Sequence, residues 1–149
     1  MRPVPAAALD LIRTFEGCRL APYHDCVGFP TIGYGRLLAR EKGADLSRWP
    51  VIDPATANTY LAEDAQTAAR SVAKFITVPL TDGQYAALID FVFNLGAGQL
   101  QLSTLRAVIN RGEVSEAPRQ ILRWCYAGAV KLPGLVRRRQ AETAIWAAA

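Results

Sequence analysis

Glu16-Gly17-Cys18-Arg19-Leu20-Ala21-Pro22-Tyr23-His24-Asp25-Cys26-Val27-Gly28-Phe29-Pro30-Thr31-Ile32-Gly33-Tyr34-Gly35 is the stretch on which the reading of the fold turns. Before it, Ala6 to Glu16 carries Leu9, Ile12 and Phe15 on one stripe, the spacing of a short amphipathic helix. Gly17 can end that helix as a C-terminal cap. Then the character changes. Glycines and prolines alternate with aromatic and β-branched residues as far as Leu37, which predicts short strands and turns, a small sheet of two or three strands.

Downstream the signals are helical. Asp53-Pro54 reads as an N-cap followed by proline at the first helical position. Ala57, Leu61, Ala65, Ala68, Val72, Phe75 and Ile76 then keep one face, and the helix should end before Pro79. Thr81-Asp82-Gly83-Gln84 has the pattern expected of a capping box. It opens a helix to about Leu95 that is apolar nearly all round, as a helix central to a core should be. Gly96 and Gly98 are expected to end it. Further helices are expected from Ser103 to Asn110, from Ser115 to about Tyr126, and from about Leu135 to Trp146.

The fold class is therefore α+β, mostly helical, with a small antiparallel sheet. The expected organisation is a single domain over 1–149. A β-rich lobe spans about 17–50 and a helical lobe about 54–149, with the N-terminal helix packing on the latter. Two such lobes would form a cleft, where substrates commonly bind. A chain of 149 residues buries about 70% of its unfolded surface and needs no disulfide or metal to fold.

Composition narrows the function classes. Hydrophobic residues make up 51% and charged residues 20%, a globular balance. No apolar run approaches the roughly 18 to 20 residues that span a bilayer, so stable membrane insertion is not expected. Met1 to Asp10 lacks the apolar stretch of a signal peptide, and synthesis in a cytoplasm is the expectation. The net charge of +4 suits polyanions, whether nucleic acid, anionic lipid or anionic cell wall. No nucleic-acid motif accompanies Arg137-Arg138-Arg139, which reads as a solvated helix face or as a run with one arginine turned inward. Cys18, Cys26 and Cys125 are too few and too scattered for a metal site beside the single His24. Three reduced, partly buried thiols are expected, with no metal and no cofactor.

Chemistry points to three side chains. Glu16 closes a helix, at the negative pole of its dipole. That position, with partial burial, should raise its pKa and suit it to general acid work. Asp25 lies nine residues on and Thr31 six further, across the presumed hairpin from Asp25. Paired carboxylates across a cleft suit glycoside hydrolysis, one protonating the leaving oxygen and the other holding a water.

The run from Glu16 to Leu20, Pro22-Tyr23, Asp25, and Thr31-Ile32-Gly33-Tyr34-Gly35 resembles the active-site signature of the phage-type lysozymes, the endolysins of glycoside hydrolase family 24. Ala87 to Gly96 resembles that family's central buried helix. Ser103-Thr104-Leu105 and Gly134 to Arg139 with Glu142 also fit. The resemblance runs from about Leu9 to Trp146. It implies a lysozyme-like fold and a muramidase that cleaves the β-1,4 bond between N-acetylmuramic acid and N-acetylglucosamine with inversion. It implies Glu16 as proton donor, with Asp25 and Thr31 at the face where water attacks. It implies substrate contacts at Leu37, Phe93, Asn94 and Thr104. Arg137 matches an arginine that approaches the catalytic glutamate, where it would oppose the dipole. The implied partners are peptidoglycan glycan strands. The protein would act as a monomer, released to the periplasm by a separate holin-like protein. One departure stands out: the family's histidine after Gly-Tyr-Gly is Arg36 here. Other readings are a lysozyme fold reused for binding or scaffolding without turnover, a glycosidase for chitin-like polymers, and a lytic transglycosylase. The last would give 1,6-anhydro products.

Overall fold

The computed structural model describes residues 1–148. Along the chain the elements are α1 (Ala6–Glu16), β1 (Arg19–His24), β2 (Pro30–Gly33), β3 (Arg36–Leu37), α2 (Pro54–Phe75), α3 (Asp82–Leu95), α4 (Ala97–Leu102), α5 (Thr104–Asn110), α6 (Ala117–Leu122), β4 (Tyr126–Ala127), β5 (Val130–Lys131) and α7 (Pro133–Ala147). The fold is mostly helical with small antiparallel sheets. Two compact units divide it: Ile12–Asp64, and Met1–Leu11 with residues 65–148. The divisions fall inside α1 and α2.

In the Ile12–Asp64 unit, β1, β2 and β3 form one antiparallel sheet in that order. β2 is its central strand and is buried throughout. Gly17 takes a left-handed φ of +66°, and its N–H reaches back to the Arg13 carbonyl, ending α1 as a glycine cap does. Asp53 caps α2 by accepting from the Thr56 N–H at 2.7 Å.

In the other unit, α3 is the centre. Every residue from Tyr85 to Val92 is buried. The Thr81 capping box is present, with Thr81 Oγ1 accepting from Gln84 N–H and the Gln84 side chain accepting from Thr81 N–H. α7 lies against α3. A Cβ at Gly83 would stand 2.3 Å from the Ile145 carbonyl oxygen, so only glycine lets the end of α7 approach the start of α3 this closely. The side chains predicted for the inner face of α2 are all buried: Ala57, Leu61, Ala65, Ala68, Val72, Phe75, and Ile76 just beyond it.

Four local expectations are corrected. Gly96, at φ +94°, does end α3, but Gly98 sits inside a further short helix, α4. The helix expected to reach Tyr126 stops at Leu122, and a small hairpin, β4–β5, follows around Gly128 at φ +60°. The arginine run is not a solvated face: Arg138 and Arg139 are buried, because α3 and α7 supply Asp90, Asn94 and Glu142 to meet them, while Arg137 is exposed. Of the thiols, all free, Cys18 and Cys26 are exposed and only Cys125 is buried.

Candidate active site

The site in the Ile12–Asp64 unit is built by three short devices. Glu16 is the last residue of α1, and its side chain is half-buried. The chain between β2 and β3 passes directly beside it. A Cβ at Gly35 would stand 3.4 Å from Glu16 Oε2, and Gly35 adopts φ +89°. The glycine thus serves two needs, a left-handed turn and a close approach to a carboxylate.

Asp25 occupies the turn between β1 and β2. Its Oδ1 accepts from the backbone N–H groups of Val27, Gly28 and Phe29 at 2.9, 2.8 and 2.9 Å. Its own N–H donates to the Phe29 carbonyl at 2.9 Å. Three donors on one oxygen favour the ionised form. The Phe29 N–H above all, with Val27 and Gly28, holds this carboxyl below the ordinary aspartate value. Oδ2 accepts no hydrogen bond from the described residues.

Thr31 is buried on β2, 4% exposed, and its hydroxyl donates to the Phe29 carbonyl at 2.9 Å. Phe29 therefore links the two: its N–H serves Asp25 and its carbonyl serves Thr31. The register refines the expected pairing. Thr31 stands opposite Tyr23 on β1 and Leu37 on β3, and Asp25 is set back in the turn because its carboxylate caps the following amides. Directly paired residues share a sheet face, so Tyr23, Thr31 and Leu37 lie on one side. Tyr23 was not singled out from the sequence, although strand alternation around Thr31 carries the signal. Burial raises the pKa of its phenol, and the charges of Glu16 and Asp25 push the same way against Arg19. The ring is thus within electrostatic reach of both carboxylates.

Arg36 has a defined task. Its guanidinium makes two bonds to Asp64, at 3.2 and 2.9 Å, and one to Glu63 at 2.7 Å, while stacking 4.1 Å from the Tyr60 ring centroid. It ties β3 to α2 within this unit. Arg36→Ala is expected to cost about 1–2 kcal/mol, reduced from the value of a fully buried pair because both partners stay partly exposed. A shift of the urea midpoint checks this.

The Asp25 turn also gives a pH prediction. A carboxyl whose folded pKa is depressed stabilises the fold above its unfolded value, about 3.9. That contribution should be lost as pH falls through the lower folded value. Carboxyl NMR titration should place the Asp25 midpoint below that of an ordinary aspartate, with the Val27, Gly28 and Phe29 amide signals moving together.

The remaining candidates lie in the helical unit. Phe93 and Asn94 are half-buried near the end of α3. Thr104 is exposed at the start of α5, behind Ser103, whose hydroxyl accepts from the Arg106 N–H. Thr104 lines a depression of about 360 Å³ with Gln99, Leu102, Ser103, Gln120, Arg123 and Trp124. Arg137 is exposed on α7. The structure thus brings Glu16, Asp25, Thr31 and Leu37 into one unit, and Phe93, Asn94, Thr104 and Arg137 into the other.

The profile of the phage lysozyme family matches residues 13–142. The chain belongs to that family. It is 37% identical over 127 residues to a SAR-endolysin of Bacteriophage PS119, covering 85% of this chain and 73% of the relative. It is 36% identical to an endolysin of Acyrthosiphon pisum secondary endosymbiont phage 1, covering 95% of each. Among solved structures, an endolysin from Escherichia coli O157:H7 phage FAHEc1 superposes with a TM-score of 0.84 at 31% identity, covering 99% of this chain and 94% of that one. As a phage lysozyme this chain is a glycoside hydrolase, a muramidase with a cell-wall lytic function.

Proposed function

We propose that this phage lysozyme hydrolyses the β-1,4 bond between N-acetylmuramic acid and N-acetylglucosamine by a single displacement with water. Glu16 gives its proton to the leaving oxygen as the C1–O bond breaks. The attacking water is held by Asp25 and Thr31. Its oxygen bonds to C1, and the proton it sheds passes to Asp25.

The observation that carries this reading is how hydrogen bonds are spent around Phe29. Thr31 gives its one hydroxyl proton to the Phe29 carbonyl, which leaves Oγ1 an acceptor. Asp25 has Oδ1 filled by three N–H groups and keeps Oδ2 as an anionic acceptor. A water between two acceptors gives them both its hydrogens, so its lone pairs face the sugar. Three hydrogen bonds also weaken Asp25 as a nucleophile while keeping it charged, which suits orientation of water better than a covalent intermediate.

Action on the wall from the periplasm, as a monomer released by a separate holin-like protein, completes the reading. It is supported by the endolysin relatives and by a net charge of +4, suited to an anionic wall. Among the described residues no helix is long and apolar enough to cross a membrane.

Digestion of purified peptidoglycan in ¹⁸O-water tests the mechanism. The expected first product carries ¹⁸O at C1 of N-acetylmuramic acid and is the α-anomer by NMR. A β-anomer would show retention, and 1,6-anhydro ends would show that water takes no part; either would overturn the proposal.

A further inference from the structure

Asn94 is half-exposed near the end of α3, and a buried cation stands behind it. Arg139 Nη2 donates to Asn94 Oδ1 at 2.8 Å. Arg139 is itself fully buried. Its other bonds go to Glu142 Oε1 at 2.7 Å and to the Trp124 carbonyl at 3.4 Å. Its guanidinium packs 5.3 Å from the Phe91 ring centroid, and Phe91 meets Trp124 edge-on. Among the described residues Arg139 Nε has no hydrogen-bond partner, and Glu142 Oε2 has none of good geometry, although Asp90 lies beside that carboxyl.

This arrangement is expensive for stability alone. Burial, with Asp90 beside it, pushes the Glu142 carboxyl well above the ordinary glutamate value, so the pairing with Arg139 comes at the cost of its ionised form. A buried arginine and carboxyl so placed rarely improve on apolar packing of equal volume, and are better explained by what they specify. Here it specifies one thing: an arginine has only donors, so the amide of Asn94 must turn its oxygen inward and its NH₂ outward. Nδ2 makes no hydrogen bond to the described residues.

We propose that Arg139, held by Glu142, is a positioning residue that fixes Asn94 with its NH₂ presented as a donor to an acceptor oxygen of the glycan. The acetamido carbonyl of an amino sugar has that chemistry. The proposal rests on the reading of Asn94 as a glycan contact. It adds the polarity of that contact and the residue that sets it. Arg139 never touches substrate.

A double-mutant cycle on soluble peptidoglycan oligomers tests it, at a temperature where every variant is folded by circular dichroism. Asn94→Ala and Arg139→Gln should each raise KM about fivefold to tenfold with kcat within about twofold, the loss of one ordered hydrogen bond. The double variant should be no worse in KM than Asn94→Ala, although Arg139→Gln still lowers Tm. KM effects that multiply, or an unchanged KM in folded Arg139→Gln, would overturn the proposal. A second readout needs neither activity nor a folded Arg139 variant. In the wild type the ¹⁵N signals of the Asn94 side-chain amide should report a rigid group, and a disaccharide-peptide of N-acetylglucosamine and N-acetylmuramic acid should shift them. A freely rotating amide sinks the positioning claim. A rigid amide in a protein that cleaves no peptidoglycan sinks the hydrolytic reading instead and leaves the positioning claim standing.

Discussion

Glu16→Gln is expected to slow clearing of permeabilised Gram-negative cells by roughly 10³-fold, within the 10² to 10⁴ range that general acid catalysis supplies. The amide keeps the shape of the carboxyl and loses the transferable proton. The amide also keeps the size and hydrogen-bonding capacity of the side chain, so the fold should tolerate it. Glu16 is half-buried at the C-terminal end of α1, where a negative charge is locally unfavourable to the helix by about 0.3–1 kcal/mol. Its neighbour Gly35 needs only that the side chain at 16 be no larger, and Gln satisfies this. So activity should collapse while Tm does not. A turbidity assay beside a thermal melt separates the two quantities. Clearing by folded Glu16→Gln at near wild-type rate would remove Glu16 from the chemistry.

The largest effect on stability is expected at Asp90. Its two oxygens take both arms of Arg138, Nε to Oδ2 at 2.9 Å and Nη2 to Oδ1 at 2.7 Å, and neither side chain sees solvent to speak of, 0% and 5% exposed. Asp90→Ala takes from the buried Arg138 guanidinium the carboxylate that accepts from its Nε and Nη2. Breaking one side of such a pair costs about 3–5 kcal/mol, a fall of roughly 6–20 °C in Tm for a domain of this size. Asp90→Asn keeps one acceptor and should lose less. Replacing both residues, Asp90→Leu with Arg138→Met, should recover much of the loss, because it removes the stranded charge with its partner. Equal losses in the single and double variants would show that packing at these positions matters and the ion pair does not.

The sequence made local devices legible wherever the cause lay within a few residues. The glycine cap after Glu16, the capping box at Thr81 and the Asp53 cap are each written in four residues or fewer, and each is present. The inner face of α2 was legible for another reason: twenty-two residues at one period average out exceptions. The arginine run failed because its burial depends on Asp90 and Asn94, some 45 residues or more away along the chain. No window around α7 contains them. The pairing of Thr31 with Tyr23 was missed more narrowly, by setting Thr31 across the hairpin from Asp25 itself. Its side chain caps the turn, and the register is set two residues earlier.

That turn has a consequence for how freely this part of the chain can change. Asp25 is held by amides only two to four positions ahead of it, so the placement of the carboxylate is encoded in five consecutive residues. What the loop uses at position 27 is its backbone N–H; the side chains of Cys26 and Val27 stand exposed. An exposed thiol and an apolar side chain can therefore occupy the middle of this loop without bearing on its geometry. Gly28 is different, at φ +104°. Selection on this loop should be read off Asp25 and Gly28, while positions 26 and 27 are open to drift, or to deliberate labelling by thiol chemistry beside a carboxylate that stays where it is.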